Sequence, residues 1–201
     1  MSKLKIMNST AGYNLAAVDY DKKEKYLNSF EKDKLFPLLG DVKSKKILDV
    51  GAGTGRTSVI LAKMGAEVTA LDVSEKMLKE LKKKNAKIKI VVGDAESLPF
   101  PDKSFDAIMS AFLIVHLKDP THFFDEAYRV LKDGGLLVVT NINQKEPPEV
   151  KTPEGVIKIE SYYHRPEKIR EILESLAYDI KNEIIVKEND VWVNQIIAAQ
   201  K

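Results

Sequence analysis

The chain of 201 residues contains no cysteine. This absence excludes disulfide bonds, thiolate metal sites and cysteine nucleophiles together, and no metal site is predicted. The sequence also has little excess charge, because 32 basic and 30 acidic residues leave a net charge of +2. A chain so nearly neutral gives no reason to expect nucleic acid, a membrane surface or a polyanion as its partner.

Long apolar runs are missing as well. No stretch approaches the roughly 18 residues that cross a bilayer, and residues 1–14 lack the apolar segment of a signal peptide. We therefore expect a cytoplasmic enzyme or binding protein. The apolar fraction of 44% and the charged fraction of 31% are ordinary for a globular protein, and the length suits one domain over 1–201.

The sequence does contain a regular alternation of strand and helix patterns. Apolar runs such as KKILDV, EVTALDV and GLLVVTNI alternate with amphipathic stretches such as SEKMLKELKKKN, in which Ser74 is suited to cap a helix. Strands this apolar have no wet face, which indicates a parallel sheet covered by helices on both faces. Residues 181–201 predict two strands around a Glu-Asn-Asp turn, which must be antiparallel. The predicted fold is α/β: a Rossmann-like, doubly wound sheet of seven mostly parallel strands that ends in an antiparallel hairpin.

Four segments of this single domain can be distinguished. Residues 1–42 predict a helical cap, with helices on either side of Pro37, and residues 43–142 predict the cofactor-binding core. The core includes a helix over DPTHFFDEAYRVLKDGG with a glycine-rich stop. Residues 143–164 hold prolines and few periodic apolar residues, and are too long for a plain connection, so we expect a lid beside the ligand site. Residues 165–201 predict a closing helix and the hairpin.

The stretch ILDVGAGTG, residues 47–55, places Gly51, Gly53 and Gly55 directly after the first strand of the core. A dinucleotide fingerprint needs a further glycine at the position held by Arg56, and no Gly-Lys-Ser/Thr follows as a phosphate loop requires. Such a turn lets the backbone approach a ligand closely. A tight turn that binds nothing is the alternative.

Acidic residues stand near the ends of three adjacent strands, at Asp49, Asp72 and Asp94. Asp72 is placed to accept hydrogen bonds from both ribose hydroxyls of an adenosine, or else to begin the next helix as a capping acid. Asp94 could accept the exocyclic amine of adenine, beside the backbone N–H of Ala95. Three carboxylates disfavour a pyrophosphate and suit a ligand with an ammonium group, a ribose and a cationic centre, which favours S-adenosylmethionine over NAD.

The motifs ILDVGAGTG, VTALDVSEKML, VVGDAESLPFPDKSFDAIMSAF and EAYRVLKDGGLLVVTNI, in this order, resemble the class I S-adenosylmethionine-dependent methyltransferases. They are most similar to the group that includes ubiquinone and menaquinone C-methyltransferases, the methyltransferase type 11 group. The resemblance spans roughly residues 12–200. It implies S-adenosylmethionine as cofactor, S-adenosylhomocysteine as product and a small-molecule acceptor. Enzymes that methylate DNA bases or release factors carry an Asn/Asp-Pro-Pro-Tyr segment where this chain has SAFLI, so those acceptors are not expected.

The same resemblance implies a set of cofactor-binding positions: Tyr20, Asp49, Gly51, Ala52, Gly53, Asp72, Val73, Asp94, Ala95, Ala111 and Phe112. Asp49 and the glycine turn match positions that meet the methionine end, and Asp72 matches the ribose acid. Asp94 with Ala95 matches the adenine-contacting pair. Ala111 and Phe112 match the floor beside the transferred methyl group, and Tyr20 matches an N-terminal tyrosine in a helix that covers the cofactor.

Methyl transfer from a sulfonium is an in-line displacement with a neutral leaving group. The protein mainly aligns the reactants, and a base is needed only if the acceptor loses a proton. His116, in FLIVHLKDP, is the candidate catalytic base; a surface or helix-start histidine is the alternative. His164 with Tyr162 and Tyr163 either borders the acceptor site or packs onto the following helix.

Three functions stay open from the residues alone. The first is a methyltransferase that acts on a small molecule, and the second is a non-catalytic domain that binds S-adenosylmethionine. The third is an NAD-dependent oxidoreductase, against which the glycine spacing and the three acids argue. We expect a monomer or homodimer without a nucleic-acid or membrane partner.

Overall fold

The computed structural model describes residues 4–31 and 33–201, apart from the side chains of residues 23 and 24. Residues 1–3 and 32, which belong to the predicted N-terminal cap, lie outside the described residues. The N-terminal part contains β1 (Ile6–Met7), α1 (Ser9–Ala16), a 3₁₀ stretch (Ala17–Lys23), α2 (Glu24–Glu31) and a 3₁₀ turn (Phe36–Leu39). The sequence suggested that Pro37 divides two helices. Pro37 instead lies inside a 3₁₀ turn.

The central part alternates strands and helices. It contains β2 (Lys46–Val50), α3 (Arg56–Lys63), β3 (Glu67–Asp72), α4 (Glu75–Lys84), β4 (Lys89–Val92), β5 (Phe105–Ser110), a 3₁₀ turn (Ile114–His116), α5 (Thr121–Val130) and β6 (Leu131–Ile142). The C-terminal part contains β7 (Glu149–Thr152), β8 (Gly155–Ile159), α6 (Pro166–Ser175), β9 (Asp179–Glu188) and β10 (Val191–Gln200).

The main sheet has seven strands in the order β4-β3-β2-β5-β6-β10-β9. The five strands from β4 to β6 are parallel, and β10 pairs antiparallel with both of its neighbours. The chain leaves β2 toward one edge and later returns to β5 on its other side, so the strand order reverses there. The predicted doubly wound α/β fold with a closing antiparallel hairpin is confirmed. Asn189 and Asp190 form the hairpin turn with φ values of 47° and 63°, as a type I′ turn requires.

Helices cover both faces of this sheet because successive strand residues point in opposite directions. Ile47 lies in a buried cluster with Leu61 of α3, on the face that α4 also covers. Its neighbour Leu48 lies in the other buried cluster, with Phe123 of α5 and Ile169 of α6. The carboxyl ends of the parallel strands therefore form one rigid edge, beyond which loops are free to build a site.

The helix predicted to run to the glycine pair is shorter than expected. It ends at Val130, and residues from Leu131 onward already belong to β6. Phe105 of β5 pairs with Leu131 while Ala107 pairs with Leu136, so the extra residues of β6 bulge out of the ladder. Gly134 adopts a φ of 74° within this bulge. The glycines thus serve the bulge rather than a helix stop.

A second, three-stranded sheet lies beside the site edge, in the order β1-β8-β7. The segment 143–164, predicted as a lid without strands, contains the β7–β8 hairpin, and β1 pairs with β8 in parallel. Gly12 lets α1 approach this sheet, because a Cβ there would lie 2.9 Å from the Ile159 side chain. Ala16, Val150 and Met77 share a small core with it. The N-terminal cap and the predicted lid are therefore one packed unit.

Candidate active site

A cavity of about 390 Å³ opens at the carboxyl ends of the parallel strands. Eleven of the twelve predicted site residues line it: Tyr20, Gly51, Ala52, Gly53, Asp72, Val73, Asp94, Ala95, Ala111, Phe112 and His116. Asp49 is the twelfth and is not among the lining residues. Side chains that the sequence separates by almost 100 positions thus meet in one place, because parallel strands end at a common edge.

The glycine turn after β2 uses two of its glycines for different purposes. Gly53 has a φ of 55°, and a Cβ built there would meet no atom within 4 Å, so this backbone faces open space in the cavity wall. Gly55 has a φ of 87°, and its Cβ would lie 2.1 Å from the Leu81 side chain of α4. Gly53 therefore leaves room for a ligand, whereas Gly55 permits close helix packing.

Asp72 at the end of β3 binds the glycine turn. Its Oδ2 accepts a hydrogen bond from Gly53 N at 2.8 Å, and its Oδ1 accepts one from Ser74 N at 2.8 Å. Burial raises the pKa of Asp72 to about 6, against the lowering effect of these two backbone donors. Ser74 is the N-cap of α4, as predicted, and its hydroxyl accepts from Met77 N. The capping role suggested for Asp72 thus falls to Ser74, while the carboxyl group stays on the cavity wall.

Asp49 lies in β2, two residues before the glycine turn, and is almost fully buried. Its Oδ2 accepts hydrogen bonds from Thr57 Oγ1 at 2.6 Å and from Ser58 Oγ at 2.5 Å. Its Oδ1 has no hydrogen-bond partner among the described residues. Burial raises the pKa of Asp49, and the two hydroxyl groups oppose that shift. A buried acceptor without a donor is unusual and leaves one hydrogen bond available.

Phe112, directly after β5, adopts a left-handed backbone with a φ of 62°. This conformation costs a non-glycine residue roughly 1–3 kcal/mol and is concentrated at functional sites. The surroundings hold it in place: Phe112 N donates to Thr140 Oγ1 at 2.9 Å, and the Arg56 guanidinium lies 5.2 Å from the ring centroid. These two contacts offset the backbone strain and hold the aromatic ring at the cavity wall.

Ion pairs and hydrogen bonds tie the N-terminal cap to the glycine turn. The Arg56 guanidinium donates to both carboxylate oxygens of Glu31 in α2, at 2.5 and 2.9 Å, and the two side chains are only 11% and 4% exposed. Asp21 accepts from Thr54 Oγ1 at 2.5 Å and pairs with Lys84 at 2.6 Å. These contacts keep Tyr20 at the cavity, and sequence reasoning did not identify them.

His116 does not point to solvent, which was the alternative reading of its sequence position. Its Nε2 lies 2.7 Å from the hydroxyl of Tyr13, and its Nδ1 lies 2.9 Å from the carbonyl oxygen of Glu160. Burial lowers the pKa of His116, and the Glu160 carbonyl opposes that shift. Tyr13 also lines the cavity and was missed by sequence reasoning. A tyrosine next to glycine at the N-terminus gives no distinctive signal.

The aromatic side chains that follow β8, Tyr162, Tyr163 and His164, lie in two different surroundings. Tyr162 lines the cavity, and its hydroxyl donates to Glu160 Oε1 at 2.8 Å. Tyr163 instead lies against Trp192, with ring centroids 6.1 Å apart, and His164 Nε2 donates to the Leu117 carbonyl at 2.8 Å. Only Tyr162 therefore borders the candidate site, while Tyr163 and His164 contact Trp192 and the Leu117 carbonyl.

Two kinds of feature are absent from the part of the chain that the structure describes. Residues 4–31 and 33–201 contain no cluster of three or more His, Cys, Asp or Glu side chains that could hold a metal ion. In the same ranges, no helix combines the length and apolar character needed to cross a membrane.

The strand order and the cavity behind the glycine turn define an S-adenosylmethionine-dependent methyltransferase fold. A methyltransferase of that class from Mesorhizobium loti aligns with a TM-score of 0.72 at 19% identity, covering 87% of this chain and 100% of that one. Residues 48–139 match the family model described as a methyltransferase domain. The resemblance inferred from the four motifs is confirmed.

Curated relatives have a higher sequence identity, but over only about half of the chain. A demethylmenaquinone methyltransferase from Renibacterium salmoninarum is 42% identical over 105 residues, which are 52% of this chain and 44% of the relative. A 2-methyl-6-phytyl-1,4-hydroquinone methyltransferase from Synechocystis is 42% identical over 108 residues, 52% of this chain and 34% of the relative. The chain thus covers less than half the length of these relatives.

Proposed function

We propose that this protein transfers a methyl group from S-adenosylmethionine to a small-molecule acceptor by in-line displacement. The observation that carries the proposal is the convergence of eleven predicted residues on one cavity at the strand ends. The methyltransferase domain over residues 48–139 supports the same chemistry. All of these residues come from one chain, so a monomer could form the site.

The described residues fit this cofactor. The open space at Gly53 leaves room for the ligand close to the backbone, and the free Oδ1 of Asp49 offers an acceptor for an ammonium group. We assign Asp72 to the ribose hydroxyls and the Asp94–Ala95 pair to adenine. When bound, the cofactor supplies a methyl group activated by a positively charged sulfur. The chain's own residues hold and orient it, exclude water, and keep Phe112 at the floor.

The charge of the cavity argues against NAD. Asp72 and Asp94 lie on its wall, and Asp49 is buried beneath the turn. These carboxylates repel a pyrophosphate and attract a ligand with ammonium and sulfonium charges. The position at which a dinucleotide fingerprint needs glycine holds Arg56, whose guanidinium is engaged by Glu31.

The acceptor we propose is a small aromatic molecule. Leu27, Leu113, Leu117 and Tyr162 add apolar and aromatic wall to the cavity. The two relatives above are named for a quinone and a hydroquinone substrate, and both kinds of molecule carry a flat, conjugated ring. The segment 143–164 would cover the acceptor, because Glu160 and Tyr162 reach the cavity from it.

A matched pair of glycine variants tests the proposed cofactor site. Gly53 and Gly40 have φ values of 55° and 61°, and a Cβ at either would meet no atom within 4 Å. Both alanine variants should lose stability through backbone strain, and Gly40→Ala should lose more, because its ψ of −143° lies close to a region that essentially only glycine adopts. Only Gly53→Ala should weaken S-adenosylmethionine binding, by about fivefold in titration calorimetry, because only Gly53 lines the cavity.

The same titrations with S-adenosylhomocysteine and NAD separate the candidate functions. Binding of the first two ligands and not of NAD supports the proposal; preferential binding of NAD would refute it. Formation of S-adenosylhomocysteine with a panel of small aromatic acceptors distinguishes an enzyme from a domain that only binds the cofactor. Equal affinity of the Gly53→Ala and Gly40→Ala variants for S-adenosylmethionine would contradict a role of the glycine turn in cofactor binding.

Cofactor affinity should depend on pH through Asp72. Its pKa in the folded protein is about 6, so the carboxylate is mostly ionised at pH 7.5 and mostly protonated at pH 5. Only the ionised group can accept hydrogen bonds from both ribose hydroxyls with full strength. Affinity for S-adenosylmethionine should therefore fall several-fold as the pH is lowered across this window. The Asp72→Asn variant should bind weakly with little dependence on pH, and a wild-type profile that is flat from pH 7.5 to 5 would contradict the assignment.

A further inference from the structure

The connection between β4 and β5, residues 93–104, passes β3 and β2 of the main sheet without forming a helix. Near its start lie Asp94 and Ala95, the two residues that we assign to adenine and call the adenine pair. Asp94 begins a tight turn, because its Oδ1 accepts a hydrogen bond from Glu96 N at 2.9 Å. One oxygen of the carboxylate is thus held by the turn, and the other is left for a ligand.

Two side chains of α5 hold this connection. The Arg129 guanidinium donates from Nη2 to the Leu98 carbonyl at 2.9 Å and from Nη1 to the Phe100 carbonyl at 2.8 Å. The Glu126 carboxylate accepts from Leu98 N at 2.7 Å. Arg129 also donates to both carboxylate oxygens of Glu126 and to Asp102, each at 2.8 Å. Both backbone polar groups of Leu98 are therefore bound by the α5 side chains.

The chemistry of these two residues suits them to hold an irregular segment. Arg129 presents its donors in a planar fork, which a single ammonium group cannot replace. The hydrogen bonds between the two side chains lower the pKa of Glu126 and raise that of Arg129, so both are charged at neutral pH. Pro99 and Pro101 have no N–H group and disfavour a helix here. Side-chain donors from α5 take the place of a hydrogen-bond ladder within the connection.

Further contacts dock the same connection on α5. Leu98 is only 4% exposed and lies in the buried cluster that contains Ala127 of α5. Lys103 N, near the end of the connection, donates to the Arg129 carbonyl oxygen at 3.0 Å. The connection is thus fixed to α5 in the middle and at its end, and these contacts begin only four positions after Asp94.

We propose that Arg129 and Glu126 are positioning residues for nucleobase selection, which hold the adenine pair where it distinguishes adenine from other bases. This inference rests on the proposed function. Neither α5 side chain lines the cavity, whereas Asp94 and Ala95 do, so the effect must pass through the connection. A displaced Leu98 would move the turn that Asp94 begins. Hydrogen bonds weaken steeply with distance and angle, so a small shift of the adenine pair would remove its selectivity.

A purely structural role of Arg129 and Glu126 is the competing explanation. It predicts a lower Tm in a variant and the same loss of affinity for every ligand. The proposal instead predicts a loss confined to ligands whose base can donate to Asp94. S-inosylhomocysteine separates the two explanations, because its base differs from adenine at the recognised atoms. A carbonyl oxygen replaces the exocyclic amine, and the neighbouring ring nitrogen carries a proton.

Titration calorimetry with S-adenosylhomocysteine and S-inosylhomocysteine measures the selectivity as a ratio of two Kd values. The wild-type protein should bind the adenine ligand at least about tenfold more tightly, since a hydrogen bond to a charged group contributes at least that factor. In Arg129→Met the ratio should fall about fivefold, through weaker binding of S-adenosylhomocysteine. Arg170→Met is the matched control, because Arg170 of α6 also pairs with a glutamate, Glu183, and does not line the cavity. It should keep both Kd values.

Glu126→Gln is a milder second variant, which decides the question if Arg129→Met does not fold. It keeps the size of the side chain but replaces one acceptor oxygen by an amide group, and the ratio should fall about threefold. An unchanged ratio in the folded variants, or an equal loss for both ligands, would overturn the proposal. A wild-type ratio near one would do the same. Absence of S-adenosylhomocysteine binding by the wild-type protein would instead refute the proposed function.

Discussion

The Asp72→Ala variant is expected to bind S-adenosylmethionine at least tenfold more weakly than the wild-type protein. The variant would remove the acceptor that we assign to two ribose hydroxyls, and hydrogen bonds to a charged group contribute about 1.5–3 kcal/mol each. It would also release Gly53 N, which Asp72 holds at 2.8 Å, and so loosen the turn. Titration calorimetry at pH 7.5 measures the effect directly.

Stability must be followed beside affinity in this experiment. Because burial raises the folded-state pKa of Asp72 to about 6, above its unfolded value, the ionised carboxylate opposes folding above that pH. Its removal therefore offsets part of the lost backbone hydrogen bonds, and the Tm without ligand should change by only a few degrees. Asp106→Ala is the matched control, since Asp106 lies near the start of β5 at the opposite sheet edge and pairs with Lys132. The Asp106→Ala variant should leave the affinity for S-adenosylmethionine unchanged. Equal affinity of the Asp72→Ala variant and the wild-type protein would contradict the ribose assignment.

The second large effect concerns the ion pair between the cap and the glycine turn. Glu31→Ala should lower the free energy of unfolding by about 3 kcal/mol, because it leaves the buried Arg56 guanidinium without a carboxylate and with only Asn28 Oδ1 as a side-chain acceptor. Burial raises the pKa of Glu31, and the guanidinium opposes that shift by favouring the charged carboxylate. Urea denaturation of the two proteins gives the difference.

The control for this variant is an exposed ion pair that also contains a glutamate. Glu75 and Lys79 of α4 pair at 2.8 Å with side chains that are 63% and 62% exposed. Glu75→Ala should change stability by less than about 1 kcal/mol. Because Arg56 also lies over Phe112, Glu31→Ala should in addition weaken cofactor binding. A stability loss no larger than that of Glu75→Ala would show that the pair does not fasten the cap.

The main sheet and the strand-end residues could be predicted because their signals are local. Each apolar run identifies a strand, and each strand end brings its glycine or acid to a shared edge, so Gly53, Asp72 and Asp94 follow from pattern alone. The β7–β8 hairpin escaped prediction because its strands are short and lie among prolines. The bulge in β6 escaped because a glycine pair after a helix reads equally well as a helix stop.

The sequence by itself determined the alternation of strands and helices along the chain and the chemistry of the residues at the strand ends. Hydrophobic periodicity and the special backbone of glycine act over a few residues, and these features need nothing more. Only the tertiary structure decided which groups meet across the cavity. Tyr13 and His116 are 103 positions apart, and Ile6 of β1 pairs with Lys158 of β8, which is farther still along the chain. Such contacts depend on how whole elements pack, because no short segment records the position of a distant partner.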